Sequence, residues 1–233
     1  MELTDVRGNR YDLSQSGRFV DHYHSDSSCA KIILDQINSG NFYDFIKKQE
    51  FSSIIDLGAN VGLFSLFVNP IADKVYAVEP TPSHFYLMRE LVALTNVHNI
   101  ECHNVAVSNE NGFANFYIHD RNSTMNSFVK HQTDPHVGET VSVKTVKLAT
   151  FIDSIGLDRV SFVKMDIEGF ENQIILDSSF EEANQKVDSF YIEVHDFTES
   201  GMMAHNFNLI RDKFMSFGRV VEKLAEDAMF VYG

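Results

Sequence analysis

Ile54-Ile55-Asp56-Leu57-Gly58-Ala59-Asn60-Val61-Gly62 runs an apolar strand into a glycine-punctuated turn, and Leu63 to Val68 continues as the helix that the turn opens. Gly58 and Gly62 carry no Cβ and let backbone approach a ligand closely, while the first helical turn offers N–H groups without intrahelical partners. A turn in this setting binds a cofactor; its bland alternative is a bare connection between strand and helix. The spacing Gly-x-Asn-x-Gly differs from Gly-x-Gly-x-x-Gly, whose second glycine brings backbone against a pyrophosphate, and Asn60 stands where that glycine would be. Asp56 adds a carboxylate at the same turn, which opposes a pyrophosphate and suits a positively charged ligand. A sulfonium therefore fits this turn better than a nicotinamide dinucleotide.

Acids follow three more apolar runs. Glu79 ends Val75-Tyr76-Ala77-Val78, about twenty residues after the glycine turn, where an acid accepts hydrogen bonds from ribose hydroxyls. The competing reading makes it a helix-start carboxylate facing the N-terminus at Pro82. Asp166 and Glu168 follow Val163-Lys164-Met165, and Glu193, His195 and Asp196 close Phe190-Tyr191-Ile192. In a doubly wound sheet both strand ends face one cleft. Glu168 and Glu171 also suit the start of a helix, a reading that fits Glu171 best.

The runs Asp56-Leu57-Gly58-Ala59-Asn60-Val61-Gly62-Leu63-Phe64-Ser65, Val78-Glu79-Pro80 and Lys164-Met165-Asp166-Ile167-Glu168-Gly169-Phe170-Glu171 resemble the FkbM family of S-adenosylmethionine-dependent methyltransferases, over roughly Ser52 to Val194. The resemblance implies an α/β class I methyltransferase fold, Rossmann-like, with a seven-stranded, mostly parallel sheet. It also implies transfer of a methyl group to a hydroxyl oxygen of a small molecule or sugar. In such enzymes the first motif holds the methionine end of S-adenosylmethionine, which maps onto Gly58 and Asn60, and the acid after the second strand holds the ribose, which maps onto Glu79. Asn104 to Val107 corresponds to the adenine region, and Asp56, Gly62 and Asp166 are expected beside the cofactor.

Methyl transfer to an alcohol requires the oxygen to lose its proton as it attacks, and a base works best with a pKa near the operating pH. His195 meets that condition with an ordinary imidazole, whereas Asp166 and Glu193 would need desolvation and are expected to position substrate or cofactor. The rival mechanism has Asp166 with Glu193, Asp196 or His195 bind a hard divalent cation such as magnesium, which lowers the hydroxyl's pKa. That layout resembles the catechol-type methyltransferases. Two functions of other classes compete: an NAD-dependent oxidoreductase on a related sheet, and a binding module that keeps the cofactor pocket without acceptor chemistry.

Positioning these residues requires parallel strands with helical crossovers. Ser52 to Leu57, Lys74 to Val78, Val160 to Met165 and Asp188 to Val194 read as strands covered on both faces. Pro82 to Leu94 and Met202 to Phe217 place apolar residues on one helical face. Arg219 to Leu224 and Ala228 to Tyr232 flank Ala225-Glu226-Asp227 and predict an antiparallel hairpin at the C-terminal edge. Ser27 to Ile37 and Phe42 to Lys48 show helical spacing, so residues 1–50 are expected as a helical cap before a methyltransferase domain over 51–233. The polar, aperiodic segment from Asp120 to Glu139 reads as a long loop, either a lid or a surface excursion, and Asn126-Ser127 within it resembles a short FkbM motif that would reach the active site. His22-x-His24 would share one strand face and receives no role.

Composition narrows the partners. A formal charge of −14 repels phosphate polymers and anionic lipid surfaces, so nucleic acid is excluded as an expected partner, and 44% hydrophobic with 22% charged residues describe an ordinary folded chain. The longest stretch without charge, Leu57 to Ala72, is too short to span a bilayer, and the N-terminus lacks the order of a secretory signal; a cytoplasmic location is expected. Cys29 and Cys102 form no C-x-x-C pair, which argues against a disulfide framework or a zinc site and leaves both as buried apolar residues.

Overall fold

The computed structural model describes residues 1–25, 29–39, 43, 45–119, 126–128, 137–195 and 203–233. Its first element is a hairpin, β1 (Glu2–Thr4) with β2 (Arg10–Asp12), followed by helices α1 (Gly17–Ser25) and α2 (Cys29–Ser39). The expected all-helical start is therefore wrong at its beginning. Each strand is only three residues long, too short for alternation to show in sequence, yet Leu3 is fully buried between exposed Glu2 and half-buried Thr4. His22 and His24 lie on α1, not on a strand, and two residues apart on a helix they diverge: His22 meets His84 edge-on, whereas His24 meets Tyr23. Where a helix was expected over Phe42 to Lys48, the described residues make successive tight turns, with Ile46 N donating to Tyr43 O at 3.2 Å and Gln49 N to Ile46 O at 3.0 Å.

The alternating core begins at β3 (Phe51–Leu57), then α3 (Leu63–Val68), β4 (Ala72–Val78), α4 (Pro82–Leu94) and β5 (Ile100–His103). The β-branched pair Ile54-Ile55 sits at the centre of β3, and from Ser53 to Leu57 both faces are buried, as a central parallel strand requires. Next come β6 (Ala106–Val107), β7 (Gly112–His119) and β8 (Val137–Val146), which form a separate three-stranded sheet in the order β6-β8-β7. This small sheet was not anticipated, because β7 keeps only Phe116 buried and presents mostly half-buried and exposed residues. Of the expected loop, residues 126–128 are described and Ser127 pairs with Tyr117 of β7; Val137 to Glu139 belong to β8. Residues 120–125 and 129–136 of that expected loop lie outside the described residues.

The remainder is α5 (Leu148–Ser154), β9 (Val160–Met165), α6 (Glu171–Ile175), α7 (Phe180–Lys186), β10 (Val187–Glu193), α8 (Met203–Ser216), β11 (Val220–Lys223) and β12 (Ala228–Tyr232). The main sheet has seven strands in the order β5-β4-β3-β9-β10-β12-β11. β5, β4, β3, β9 and β10 are mutually parallel, while β12 runs antiparallel to both β10 and β11. This is the expected seven-stranded, mostly parallel α/β sheet with a C-terminal antiparallel hairpin.

From β3 the chain winds outward through β4 and β5, then returns to β9 on the other side of β3, so the order reverses between β3 and β9. Ligands of open α/β sheets bind beyond the strand ends at such a reversal. The face of the sheet that carries Ile54 and Phe162 shares its core with Leu3, Leu13, Phe19, Leu34 and Ile37 of the N-terminal fifty residues. Among the described residues no helix is long and apolar enough to cross a membrane. Cys102 is half-buried on β5, and burial pushes its thiol up to about 11; the side chain of Cys29 lies outside the described residues.

Candidate active site

The glycine turn closes on the end of β9. Gly58 has φ +78°, and a Cβ there would stand 1.8 Å from the Asp166 carbonyl oxygen. Glycine is therefore required both by conformation and by space. Asn60, with φ 51°, takes the left-handed conformation that Asn tolerates, and its Oδ1 accepts from Val61 N at 2.8 Å. Its own N–H donates to Glu79 Oε2 at 2.9 Å, and Thr81 N donates to Glu79 Oε1 at 2.8 Å. Burial raises the Glu79 carboxyl, and these donors at Thr81 and Asn60 draw it back toward the ionised form.

Gly58, Asn60, Glu79 and Asp166 line one open cleft at the ends of β3, β4 and β9. Val105, Ala106 and Val107 form an apolar stretch of its wall. Four other expected site residues support the cleft from behind. Gly62 (φ +83°) packs on α4, where a Cβ would meet Met88 Cγ at 2.8 Å. Asn104 donates from Nδ2 to the carbonyls of Glu79 and Pro80 at 2.9 and 3.0 Å, fixing the backbone of the Glu79 turn. Asp56 is fully buried, and its Oδ2 accepts from Ser65 Oγ at 2.6 Å. His195, the fourth, stands behind Glu168 and Asp166.

Beneath the turn, Lys164 ties the two central strands together. Its Nζ lies 2.9 Å from Asp166 Oδ2 and 3.6 Å from Asp56 Oδ1, a cation only 3% exposed in the middle of an apolar strand. Burial alone would lower its pKa, but Asp166, Asp56 and Glu193 together hold it well above the usual lysine value. For Asp166, burial pushes the carboxyl up and the neighbouring Lys164 and His195 overcome it, leaving the group below the ordinary range. For Glu193 the same two cations fall short: burial and the charge of Asp166 push it up to about 9 although Lys164 and His195 oppose the shift. Glu168, buried beside Asp166 and Glu171, rises to about 8 although His195 opposes the shift.

His195 is the centre of this cluster. Its Nδ1 lies 3.0 Å from Glu171 Oε1, and its Nε2 lies 3.8 Å from Asp166 Oδ1 and 3.7 Å from Glu168 Oε2. Burial opposes its charge, but Glu171, Glu168 and Asp166 lift it to about 10, so at neutral pH it is an imidazolium. The ordinary imidazole assumed from sequence is replaced by a cation held among three carboxyls. Glu171 does begin α6, and it does more: only 1% exposed, it accepts from Ile167 N and from Gly169 N, both at 3.1 Å, while it orients His195.

Glu168, a helix-start acid by sequence, is instead a residue of the cleft wall with φ 56°. Lys164 lines the cleft too and was not among the expected site residues, although a lone cation inside an apolar strand is a visible signal. Ile33, Gln36 and Tyr43 of the N-terminal segment line the cleft as well, and no local pattern marked them. The atoms that converge as candidate metal ligands among the described residues are those of Asp166, Glu168 and His195, all within 4.8 Å of one another. Glu193 lines the adjoining cleft, and Asp196 lies outside the described residues.

Residues 56–231 match the Methyltransferase FkbM domain family. The chain belongs to the FkbM methyltransferases. Methyltransferase 1 of Beauveria bassiana (strain ARSEF 2860) is 26% identical to this FkbM chain over 151 residues, which cover 57% of the chain and 61% of that protein. Methyltransferase sdnD of Sordaria araneosa is 27% identical over 198 residues, 72% of this chain and 75% of that protein. The crystal structure of Methyltransferase FkbM from Methylobacillus flagellatus KT shares the fold, with a TM-score of 0.50 at 14% identity over 83% of this chain and 46% of that one. The chain thus spans 61% of the first relative and less than half of the crystallised FkbM protein.

Proposed function

We propose that this FkbM chain is an S-adenosylmethionine-dependent O-methyltransferase acting on a hydroxyl of a small molecule or sugar. The observation that carries the reading is the placement of Glu79 and the acidic end of one cleft on either side of the Gly58 turn. Bound there, S-adenosylmethionine supplies an electrophilic methyl on a positively charged sulfur. Glu79 has free lone pairs to accept ribose hydroxyls, Val105 to Val107 offer an apolar wall to a base, and ionised Asp166 favours positive charge nearby.

Proton removal falls to a carboxyl that reaches the cleft. Glu168 lines it with a pKa of about 8, closer to the operating range than the imidazolium of His195 behind it. A cation in the cleft favours the ionised form of Glu168, whose Oε2 or Oε1 then accepts the proton of the attacking hydroxyl. His195 holds Glu168, Asp166 and Glu171 in place and so positions the base, and Glu193 binds the acceptor. The second reading rests on the convergence of Asp166, Glu168 and His195: these would hold a divalent cation that lowers the hydroxyl's pKa.

Thermal unfolding with S-adenosylhomocysteine and, separately, with NADH tests the cofactor, since a ligand at about 100 times its Kd stabilises by about 2.7 kcal/mol. A shift with S-adenosylhomocysteine supports the reading; a shift with NADH alone overturns it. Methylation across a panel of alcohols and sugars separates an enzyme from a silent binding module, and loss of turnover in a chelator separates the cation mechanism from Glu168.

A further inference from the structure

Three residues of the Asn126–Phe128 segment touch both ends of the cleft. Asn126 is buried; its Oδ1 accepts from His119 N at 2.8 Å, and its Nδ2 donates to Thr81 Oγ1 at 3.3 Å. Thr81 is the residue whose backbone N–H holds Glu79. Ser127, fully buried, exchanges backbone hydrogen bonds with Tyr117 and donates from Oγ to the Glu168 carbonyl at 2.5 Å. Phe128 packs its ring on Phe116 and Phe170 at 5.1 and 4.9 Å. One hydrogen-bonded path therefore runs from Asn60 through Glu79, Thr81, Asn126 and Ser127 to Glu168.

Glu168 needs such a hold. A non-glycine residue at φ 56° occupies a strained conformation that persists when its surroundings over-determine it. The hydrogen bond from Ser127 fixes the Glu168 carbonyl from one side, while Glu171 fixes the flanking N–H groups of Ile167 and Gly169 from the other. We infer that Asn126–Phe128 is a strap joining the cofactor end of the cleft to its acceptor end, with Ser127 the positioning residue that aims Glu168. The inference rests on the cofactor reading given above: a ligand that orders the Glu79–Thr81 turn also orders the Glu168 turn through the strap.

Hydrogen exchange read by mass spectrometry, with and without S-adenosylhomocysteine, tests the strap without knowledge of the acceptor. In the unaltered protein the ligand is expected to slow exchange at residues 58–62 and also at 167–171, each by about fivefold or more, the worth of one added hydrogen bond. Ser127→Ala cuts the path at Glu168, and Asn126→Ala cuts it at Thr81 while leaving both the Thr81 N–H and the Thr81 hydroxyl on Glu79. Both are expected to keep the slowing at 58–62 and lose it at 167–171, and Ser127→Thr, which retains a hydroxyl, is expected to restore it. A general loss of packing would not produce that selective pattern, nor its rescue. Slowing at 167–171 that survives both cuts overturns the strap alone. No slowing at 58–62 in the unaltered protein overturns the cofactor reading and the strap with it.

Discussion

Gly58 and the Asp166 carbonyl oxygen meet where a side chain would begin, at 1.8 Å from an ideal Cβ, so the two central strand ends touch through a position open only to glycine. Gly58→Ala must move the end of β9, and with it Asp166, Ile167 and the Glu168 turn. The expected result is a loss of about 1–3 kcal/mol from the left-handed conformation alone, more from the clash, together with loss of S-adenosylhomocysteine binding. Urea unfolding and calorimetric titration of this variant check it; near-normal values of both would refute the close approach.

Glu79 satisfies two buried N–H groups besides facing the cleft. Glu79→Ala leaves the N–H groups of Asn60 and Thr81 without their acceptor and removes the ribose partner. Affinity for S-adenosylhomocysteine is expected to fall by tenfold or more, since about 1–3 kcal/mol follows from stranding a buried donor. Titration calorimetry reads the affinity directly, and an unchanged Kd would count against the ribose role.

Three groups of the acidic end titrate upward together. Glu168 and Glu193, raised to about 8 and about 9, bind protons in the folded chain that the unfolded chain releases above about 4.5. Stability from these two therefore declines as pH rises from about 4.5 to about 9. His195, raised to about 10, contributes stability that is complete below its unfolded value of about 6.5 and lost as pH rises through 10. All three carry the same sign above neutrality, so the melting temperature is expected to fall between pH 7 and pH 10. A differential scanning series across that range checks it, with Glu168→Gln plus Glu193→Gln expected to flatten the slope; a melting temperature that rises would contradict the burial of these carboxyls.

His195→Ala removes the cation shared by Glu171, Glu168 and Asp166. Because Glu171 is buried and keeps its two N–H donors, the loss falls mainly on the pairing itself, an expected 1–3 kcal/mol or about that. S-adenosylhomocysteine binding is expected to hold within a few-fold, since His195 stands behind the cleft wall. Methyl transfer, once an acceptor is in hand, is expected to slow through kcat with KM for the cofactor little changed. Equal loss of both would place His195 in the cofactor subsite instead.

The readable parts of this molecule are those written locally. β3, the Gly58 and Asn60 turn and Glu79 stand in the chain beside the residues that explain them, and β9, α4 and β12 have the predicted bounds because their burial patterns are continuous or periodic. What escaped notice depends on distant partners. Lys164 finds Asp56 across 108 positions, and Ser127 finds Glu168 across 41. Glu168 itself was hidden by a conformation that non-glycine residues rarely adopt, and the apparent readiness of His195 as a base vanished once three carboxyls surrounded it. The hairpin β1–β2 and the small β6-β8-β7 sheet went unread because their strands are short or half exposed.

The place of β12 inside the sheet, between β10 and β11, bears on how the chain is made. During synthesis every parallel strand emerges before residues 228–232, so β10 leaves the ribosome with the edge Phe190-Tyr191-Ile192 open and apolar. Unpaired apolar edges invite pairing with other chains. A nascent chain paused before Ala228 thus carries that edge unpaired, and chaperone demand should peak between the emergence of β10 and that of β12.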